Sequence, residues 1–380
     1  MMTHQPIRVL HVVPSLSKAG GVERFVFNMA RFHDEDRVHY DFLHHDTHEG
    51  RLLTEPTYEH DLQELGSKVY RVENAGKDLL TFSKQVSSFF KEKGKDYDVV
   101  HCHMPNTAFW VLRDAFKSGI KIRIQHSHLN TSSDVFLHRL RNAPLIALGK
   151  PYITDCVACS QEAGSYLFGS RPFTVINNGI PLEQFRYDSQ VRQQVRSRFG
   201  IERDAPVIGC VGRFVSQKNF PFAVRVFAKF YEIFPDSRML ILGDGDGRAD
   251  LEKVIMSEHL SDAVILAGVR EDIDKLYSAM DVFFMPSLYE GLPVSAVEAQ
   301  AAGLPCIYST KVPKETDITG TGVFLSLDDE LEKWTYALKN AISGGRLMHA
   351  PIVLKQRGYS VRANAELLMQ HYEHLMAMKC

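Results

Sequence analysis

Cysteine is scarce in this sequence, with six residues in 380, whereas a small domain held together by disulfides needs a much denser set. No stretch approaches the roughly 20 apolar residues of a membrane-spanning helix. Neither charge dominates, because 44 Lys and Arg face 46 Asp and Glu, so nothing supports a global nucleic-acid binder. Residues 1–6 lack the charged start and apolar run of a secretory signal. These absences predict a reduced, soluble, cytoplasmic protein.

Short runs rich in Val and Ile alternate with longer helical patterns, and at roughly 150 residues per domain the length indicates two domains. The pattern begins with a buried strand, Ile7–Val13, a turn at Gly20-Gly21 and a helix over 22–32. Further strands are predicted at 40–43, 69–72, 99–102, 122–125, 156–158 and 174–176, with helices at 79–93 and 106–116 among them. Such alternation is typical of a parallel sheet covered by helices, the doubly wound α/β class.

The same alternation starts again with a second first strand at Val207–Val211 and a helix over 219–233. Strands are predicted at 239–242, 264–266, 282–285 and 306–308, and the turn-rich residues 177–181 lie between the two series. We therefore predict two Rossmann-like domains, 1–178 and 179–360, each with a ligand edge at the carboxyl ends of its strands. The last segment has helical spacing, with Leu367, Leu368, Tyr372 and Leu375 on one stripe, and 361–380 is a candidate to pack back on the first domain.

The richest stretch for chemistry runs from Pro286 to Gly303 and carries Glu290 and Glu298. Glu290 is expected in the loop after a strand, at the carboxyl edge of the sheet, where free N–H groups of the next helix can bind an anion. Glu298 falls within that helix among Ala and Val, so its carboxylate needs a partner, and paired sugar hydroxyls would suit it. A loop carboxylate followed by a capped core glutamate is the alternative interpretation.

These two glutamates, separated by seven residues, resemble the Glu-x7-Glu motif of the retaining glycosyltransferases of family 4, which have the GT-B fold. The flanking sequences, from Pro286-Ser-Leu-Tyr-Glu-Gly-Leu-Pro to Glu-Ala-Gln-Ala-Ala-Gly-Leu-Pro, also resemble those of the family. Further matches recur in order over about 300 residues, which is far more specific than one spacing. They are Gly20-Gly21-Val22-Glu23, Asn178-Gly179-Ile180, Gly212-Arg213 with Lys218, Gly243-Asp244-Gly245, and Gly268 before Arg270. Residues 124–128 and 158–164 are similar to the capsule and exopolysaccharide branch.

The resemblance implies two Rossmann-like domains that face each other across a cleft, with the donor on the second. It places Arg213 and Lys218 on the diphosphate, and two fixed cations can stabilise a diphosphate leaving group without a metal. It places Glu298 on the ribose hydroxyls, and Glu290 on the sugar hydroxyls. The remaining expected donor contacts are Gly21, Gly243, Arg270, Gly291 and Leu292. In the first domain it identifies His128 as the active-site histidine near the donor sugar, with His126 its less certain neighbour.

Several motifs admit a second interpretation. Asp244-x-Asp246 superficially copies the metal-binding motif of the other large glycosyltransferase fold, but we interpret both as turn residues. His126 and His128, placed just past the strand 122–125, could bind zinc together with His101 and His103, yet no Cys or carboxylate completes such a set. Cys156 and Cys159 resemble a redox or metal pair, but on the predicted strand they point to opposite faces, so we predict core thiols. Glu315 could face the cleft, although a surface carboxylate is the preferred interpretation. No metal or cofactor is expected.

The segment 135–153 contains no acidic residue and mixes basic with apolar side chains. Such a segment could rest on an anionic leaflet, and a core helix with a basic outer face, broken at Pro144, is the equal alternative. Relatives that extend lipid-linked oligosaccharides need a membrane contact, which favours a peripheral position on the cytoplasmic face of the inner membrane.

Together, the sequence and the resemblance predict a retaining, metal-independent glycosyltransferase of the hexosyltransferase type. It would transfer a sugar from a nucleoside diphosphate, with UDP-sugar the first choice, to a hydroxyl of a glycan acceptor, favoured as lipid-linked, in capsule or exopolysaccharide synthesis. Two alternatives remain: a sugar-nucleotide epimerase of the same fold, and a two-lobed sugar-binding protein without activity. The epimerase would need no acceptor, and the binding protein would usually be exported.

Overall fold

The computed structural model describes residues 5–18, 20–54, 56–128 and 136–379, with the side chains of 136–141 and 379 excepted. The chain forms two compact units. The first joins Met1–Gly179 to Val361–Cys380, and the second is Ile180–Ser360. The predicted boundary, between residues 178 and 179, lies one residue before this one.

The first unit contains a sheet that is almost entirely parallel. In the described residues its strands are β1 (Ile7–Val13), β2 (Val38–His48), β3 (Arg51–Leu52), β4 (Val69–Glu73), β5 (Val99–Cys102), β6 (Ile122–Ser127), β7 (Asp155–Ala158) and β8 (Thr174–Val175). Its helices up to residue 179 are α1 (Gly21–Phe32), α2 (Glu59–Glu64), α3 (Leu79–Lys93), α4 (Ala108–Lys117), α5 (Phe136–Gly149) and α6 (Gln161–Phe168). The strands lie in the order β3-β2-β1-β5-β6-β7-β8, with β4 paired to β2. Only β3 runs antiparallel to its neighbour.

The second unit repeats this architecture with six parallel strands. They are β9 (Val207–Val211), β10 (Arg238–Leu242), β11 (Val264–Gly268), β12 (Val282–Met285), β13 (Cys306–Ser309) and β14 (Val323–Leu325), in the order β11-β10-β9-β12-β13-β14. Its helices are α7 (Ser189–Arg198), α8 (Phe220–Ile233), α9 (Arg248–Ser257), α10 (Ile273–Ala279), α11 (Val294–Ala301), α12 (Leu331–Gly344) and α13 (Ala350–Gln356). The order reverses between β9 and β12, the switch point at which doubly wound sheets bind ligands. The predicted α/β class, with two Rossmann-like units, is confirmed.

The C-terminal helix, α14 (Val361–Lys379), belongs to the first unit and packs beside α1. Leu368 and Tyr372 are fully buried in the cluster that also contains Val9 and Phe25. Arg37, just before β2, fastens the outer face of this helix through charged hydrogen bonds of 2.7–2.9 Å to Glu366 and Glu373.

The structure corrects two expectations, one about where a strand ends and one about which residues of a helix are buried. β6 continues to Ser127, so His126 lies inside this strand rather than beyond it. The apolar stripe predicted for α14 holds at Leu368, Tyr372 and Leu375, but Leu367 is 41% exposed. Helical spacing alone placed Leu367 and Leu368 together, although adjacent residues on a helix point about 100° apart.

Truncation of Leu368 tests the packing of α14. Leu368→Ala should reduce the stability of the first unit by about 2–5 kcal/mol, because it removes a fully buried side chain and leaves a cavity. The neighbouring Leu367→Ala, at a half-exposed position, should change stability far less. Hydrogen exchange of the β1 and β5 amides in both variants is the measurement, and equal protection in the two would contradict this packing.

Candidate active site

Three loops of the second unit begin where β9, β10 and β11 end, and main-chain hydrogen bonds tie them to one another. Gly212 donates its N–H to the carbonyl of Leu242, at 3.0 Å, and Gly243 donates to that of Gly268, at 2.8 Å. Gly243 has φ +131°, and a Cβ there would lie 2.0 Å from the oxygen of Gly212. A side chain therefore does not fit where these loops meet. Gly243 allows its own loop to approach the neighbouring loop closely.

A second set of contacts joins the loop after β9 to the loop after β12. The N–H of Leu288 donates to the carbonyl of Gln217, at 2.8 Å, and the amide of Asn219 donates to the carbonyl of Pro286, at 3.2 Å. Gln217 Nε2 also donates to the carbonyl of Tyr289, at 3.0 Å. Asn219 has φ +53°, a left-handed conformation that Asn tolerates better than most residues. The two loops are therefore fixed side by side.

These two joined loops, which we call the clamp, bring together two predicted site residues, Lys218 and Glu290. Lys218 Nζ lies 2.6 Å from Glu290 Oε1, and Gln217 Nε2 lies 3.3 Å from Glu290 Oε2. The Lys218 and Glu290 side chains are only 14% and 6% exposed, so water screens the pair weakly. Gly291 and Leu292 follow directly, and both are half-buried.

Arg213 lies on the same loop as Lys218, and its side chain is exposed. Arg270 follows β11 and makes a two-pronged ion pair with Asp272, at 2.8 and 3.0 Å. This pairing lowers the pKa of Asp272 to about 2 and raises that of Arg270. The structure thus places Arg213 and Arg270 after two strands of one parallel sheet.

Glu298 lies within α11 and is 3% exposed. Its Oε2 accepts a hydrogen bond from the hydroxyl of Tyr277 on α10, at 2.9 Å. The partner that a carboxylate in this apolar setting requires is thus supplied by the protein itself. Asp244, Asp246 and Glu315 are all exposed, in agreement with their interpretation as turn and surface residues.

In the first unit, the two glycines before α1 differ in their surroundings. A Cβ at Gly20 would lie 1.9 Å from Oε2 of Glu23, whose carboxylate also accepts a hydrogen bond from Ser15. At Gly21, the predicted contact residue, nothing lies within 4 Å of that position, and the residue is exposed. Gly20 therefore serves internal packing, whereas Gly21 leaves open space at the start of the helix.

Five buried histidines of β1, β5 and β6, or of the residues directly after these strands, lie in the carboxyl half of the first sheet, on the face that α1 and α14 cover. We call His11, His101, His103, His126 and His128 the imidazole array. Because His11 pairs with His101 in the strand register, and His103 and His126 lie two residues beyond paired positions, strand alternation puts them on one face. Phe25 of α1 covers the rings of His126 and His128, with centroids 5.1 and 5.5 Å away.

The array forms two hydrogen-bonded rows. In the first row, His11 Nδ1 lies 2.9 Å from His103 Nε2, and His103 Nδ1 lies 2.7 Å from His128 Nε2. In the second row, the Tyr372 hydroxyl lies 2.6 Å from His101 Nδ1, and His101 Nε2 lies 3.1 Å from His126 Nδ1. The rows stack, with ring centroids 4.5 Å apart for His101 and His103 and 3.9 Å apart for His126 and His128.

Burial keeps the array neutral. Each of its five residues is at most 9% exposed, and none pairs with a carboxylate among the described residues. Desolvation lowers the pKa of His11 and of His128 to about 3, and it lowers the pKa of His101, His103 and His126 well below the usual value. A neutral imidazole has one N–H and one lone pair, which is what a row of ring-to-ring hydrogen bonds requires.

Metal binding was the alternative for these histidines, and two sets of three have nitrogens within 4.8 Å of one another. The sets are His11, His101 and His103, and His103, His126 and His128. A zinc ion lies about 2.0–2.1 Å from each ligating nitrogen, close to the plane of its ring. In each set two rings are stacked with nearly parallel planes, 12° apart for His101 and His103 and 23° apart for His126 and His128, so one ion cannot lie in both planes at that distance. We therefore interpret the array as hydrogen-bonded.

Two other expectations concern the first unit. Cys156 and Cys159 are each 1% exposed, and neither forms a disulfide, which confirms them as core thiols. In the segment 135–153, Val135 lies outside the described residues, and α5 runs through Pro144 to Gly149. Leu148 and Lys150 are exposed at its end. None of the helices in the described part of the chain has both the length and the apolarity to cross a bilayer.

Sequence reasoning missed the partners of the predicted residues. Gln217 and Asn219 build the clamp, Asp272 holds Arg270, and Tyr277 holds Glu298. His11 was also missed, although the sequence offers a signal: it sits on the first strand, which pairs with the strand of His101 in a sheet of this order.

Two Rossmann-like units, with a cation and a carboxylate joined at the switch point of one sheet, are typical of two-domain α/β proteins that bind a ligand at that edge. Residues 19–184 match the family model described as Glycosyltransferase Family 4, and residues 191–349 match that described as Glycosyl transferases group 1. A Bacillus subtilis protein named putative glycosyltransferase EpsF is 32% identical over 379 residues, 96% of each chain. The chain therefore belongs to the family 4 glycosyltransferases of the GT-B fold, and it is a glycosyltransferase.

Two further similarities are informative. An Escherichia coli protein, UDP-Gal:alpha-D-GlcNAc-diphosphoundecaprenol alpha-1,3-galactosyltransferase, is 38% identical over 140 residues, 36% of each chain. The crystal structure of Anabaena Alr3699/HepE, in complex with UDP and glucose, superimposes with a TM-score of 0.78 at 17% identity. The match covers 97% of this chain and 100% of that one, and it shows a shared fold.

The array predicts an unusual loss of stability in mild acid. Histidine has a pKa near 6.5 in the unfolded chain, so below pH 6.5 the unfolded state binds more protons than the folded state does. Each array histidine should therefore reduce the free energy of unfolding by about 1.4 kcal/mol per pH unit as the pH falls, down to its own folded pKa. Urea unfolding of the first unit, followed between pH 7.5 and 5, should show this steep dependence.

Single substitutions provide the control for this pH dependence. His11→Phe removes one titrating group and should flatten the pH dependence by the contribution of one histidine. Phe42→Leu, which changes a non-titrating neighbour of the His11 ring, should lower the stability and leave the slope unchanged. A urea midpoint that stays constant between pH 7.5 and 5.5 would show that the array is not neutral in the folded protein.

Proposed function

We propose that this glycosyltransferase moves a hexose from a UDP-sugar to a hydroxyl of a lipid-linked glycan, with retention of configuration and without a metal, in the synthesis of a capsular or other surface polysaccharide. The donor would bind to the second unit, with Arg213 and Lys218 on the diphosphate and Glu290 and Glu298 on hydroxyls of the sugar and the ribose. Gly21 and His128 would be the contributions of the first unit.

The contact between Lys218 and Glu290 is the observation that carries this proposal. A diphosphate has about two negative charges, and Lys218 already lies in a weakly solvated position on the loop that also carries the exposed Arg213. A phosphate oxygen that engages Lys218 would release the Glu290 carboxylate, which would then be free to accept hydrogen bonds from sugar hydroxyls. The ion pair thus positions Lys218 for the diphosphate and Glu290 for the sugar of the donor.

Three loops tied by Gly212, Gly243 and Gly268 would support the rest of the donor. Arg270 and its neighbours follow the third of these strands, where they would hold the base, and Gly291 and Leu292 follow Glu290. The relatives agree with this choice of donor, because the Escherichia coli enzyme is named for UDP-Gal and the Anabaena structure contains UDP. The same Escherichia coli name supports a diphospholipid-linked sugar as acceptor.

The reaction would be a front-face displacement. The bond between the anomeric carbon and the diphosphate oxygen breaks, and the acceptor hydroxyl oxygen forms a bond on the same face. Its proton passes to the departing phosphate, so the protein needs no base for this step. Arg213 and Lys218 would stabilise the developing charge, a role for which preorganised cations are effective in a site that excludes water.

Release of nucleoside diphosphate by the purified protein tests this function. The assay uses UDP-, GDP- and ADP-sugars with a bacterial lipid extract as acceptor, in the presence of EDTA. Arg213→Ala and Glu290→Gln should each lower turnover about 100-fold or more, because each removes a group that meets charge or hydroxyls in the transition state. Arg203→Ala and Glu315→Gln, exposed residues of the same types, are the matched controls.

Each result of this assay has a defined meaning. Release that requires acceptor, persists in EDTA and falls only in the first two variants would support the proposal. Release without acceptor, accompanied by an altered sugar, would indicate an epimerase instead. Loss of all release in EDTA would contradict metal independence, and binding of a donor without turnover would leave a sugar-binding protein.

We also propose a peripheral contact with the inner membrane through 135–153. Leu148, near the end of α5, and Lys150, directly after it, are both exposed and offer an apolar and a cationic group. A surface of this kind binds where an anionic leaflet attracts the charge and the interface accepts the apolar chain.

Sedimentation with lipid vesicles measures this contact. Binding to vesicles rich in phosphatidylglycerol should exceed binding to pure phosphatidylcholine and should weaken in high salt, because screening shortens the electrostatic range. Leu148→Glu should reduce it severalfold, whereas Ile233→Glu, which changes an equally exposed residue of the second unit, should not. Equal binding by the two variants would contradict a contact through α5.

A further inference from the structure

Two neighbouring residues hold the Glu290 carboxylate, one at each oxygen. Lys218 Nζ lies 2.6 Å from Oε1, and Gln217 Nε2 lies 3.3 Å from Oε2. Both residues belong to one short 3₁₀ turn, Ser216–Lys218, in the loop after β9. The Glu290 side chain is only 6% exposed, so these two donors replace much of the water that surrounds an exposed carboxylate.

Gln217 contacts three consecutive residues of the loop after β12. Its main-chain carbonyl accepts the N–H of Leu288, at 2.8 Å, and its Nε2 donates to the carbonyl of Tyr289, at 3.0 Å, as well as to Glu290. A carbonyl and a carboxylate are both acceptors, so the nitrogen of the amide must face them. The backbones of both loops therefore fix this donor beside Glu290.

The two donors respond differently to an anionic ligand. Lys218 is charged, so a diphosphate competes with Glu290 for it. Gln217 is neutral and already uses both amide N–H bonds within the clamp, so a phosphate gains little by displacing it. Once Lys218 engages a diphosphate, Gln217 is the one described residue that still donates to Glu290.

We propose that Gln217 is a positioning residue that holds the Glu290 carboxylate in place for the sugar of the donor while Lys218 binds the diphosphate. This inference rests on the proposed function, which assigns the diphosphate to Lys218 and the sugar to Glu290. With Gln217 on one oxygen, the carboxylate keeps its orientation, and its other lone pairs are available to sugar hydroxyls. Gln217 acts through Glu290 and needs no contact with substrate.

The role separates recognition of the sugar from recognition of the nucleotide. UDP would engage Lys218 without needing an oriented Glu290, whereas a UDP-sugar would need both. Gln217→Leu should therefore lower kcat/KM for a UDP-sugar about 10- to 100-fold, the range for loss of a hydrogen bond to a charged group. Its affinity for UDP should change less than about twofold, because the diphosphate contact does not depend on Gln217.

Two measurements give these quantities. Steady-state transfer from UDP-glucose and UDP-galactose, with the lipid extract as acceptor, gives kcat/KM. Titration calorimetry with UDP and with the same two UDP-sugars gives affinities without any acceptor, and Gln217→Leu should weaken only the binding of the UDP-sugars. Gln217→Glu keeps the shape of the side chain but places a second carboxylate beside Glu290, so it should lose at least as much as Gln217→Leu.

Asn219→Gly is the matched control for a loosened clamp. Asn219 joins the same two loops through the carbonyl of Pro286 but does not contact Glu290. Glycine accepts the φ of +53° at this position, so the local backbone should be retained. This variant should change the affinity for UDP and the affinity for a UDP-sugar by similar factors.

The results distinguish this role from the proposed function. Equal losses for UDP and UDP-sugars in Gln217→Leu would show that Gln217 only joins the loops, and an unchanged kcat/KM would equally overturn the positioning role. Selective loss of UDP-sugar affinity in a protein that transfers no sugar would contradict the proposed function alone. A wild-type protein that binds UDP but neither UDP-sugar would contradict the assignment of Glu290 and this inference with it.

Discussion

The parallel direction of the strands is the constraint on which the candidate site depends. When all strands of a sheet point the same way, every loop that follows a strand begins at one edge, whatever its place in the sequence. In the second unit this brings loops that begin near residues 212, 243, 269 and 286 to one edge, although more than 70 residues separate the first from the last. The hydrogen bonds described above then fix these loops to within a few ångström, and Lys218 and Glu290 meet as a result.

Much of this fold follows from residue patterns. Ile7–Val13, Val99–Cys102, Val207–Val211 and Val282–Met285 are buried parallel strands, and such strands read as continuous apolar runs with clear ends. Elements that expose more surface were missed. β14 is a short edge strand, and the polar α7 has little helical apolar periodicity, so neither leaves a clear pattern.

The candidate site shows a similar division. Chemistry-bearing residues such as Glu290, Lys218 and Arg213 stood out because their spacing matches a known family. Their partners did not, because a hydrogen bond such as that from Tyr277 to Glu298 depends on packing between two helices, and no local pattern encodes it. Likewise, two rows of imidazoles arise only when β1, β5 and β6 lie side by side. The sequence shows three separate groups of histidines.

The two units use polar groups in different ways. The second unit presents charges at a sheet edge, where a ligand can compete for them. The first unit buries the five imidazoles of the array, where desolvation favours the neutral ring and hydrogen bonds join the rings in two rows. A polar network of this kind is stabilising only when its members find partners, so it ties the position of His128 to residues as distant as His11.

The central claim is that a nucleoside diphosphate binds to the clamped loops of the second unit. Hydrogen exchange with and without saturating UDP, GDP or ADP tests it most directly, because each amide reports on its own segment. The account predicts that one of these nucleotides slows exchange in residues 212–219 and 286–293. Protection confined to the first unit, or no protection by any of the three at saturation, would contradict it.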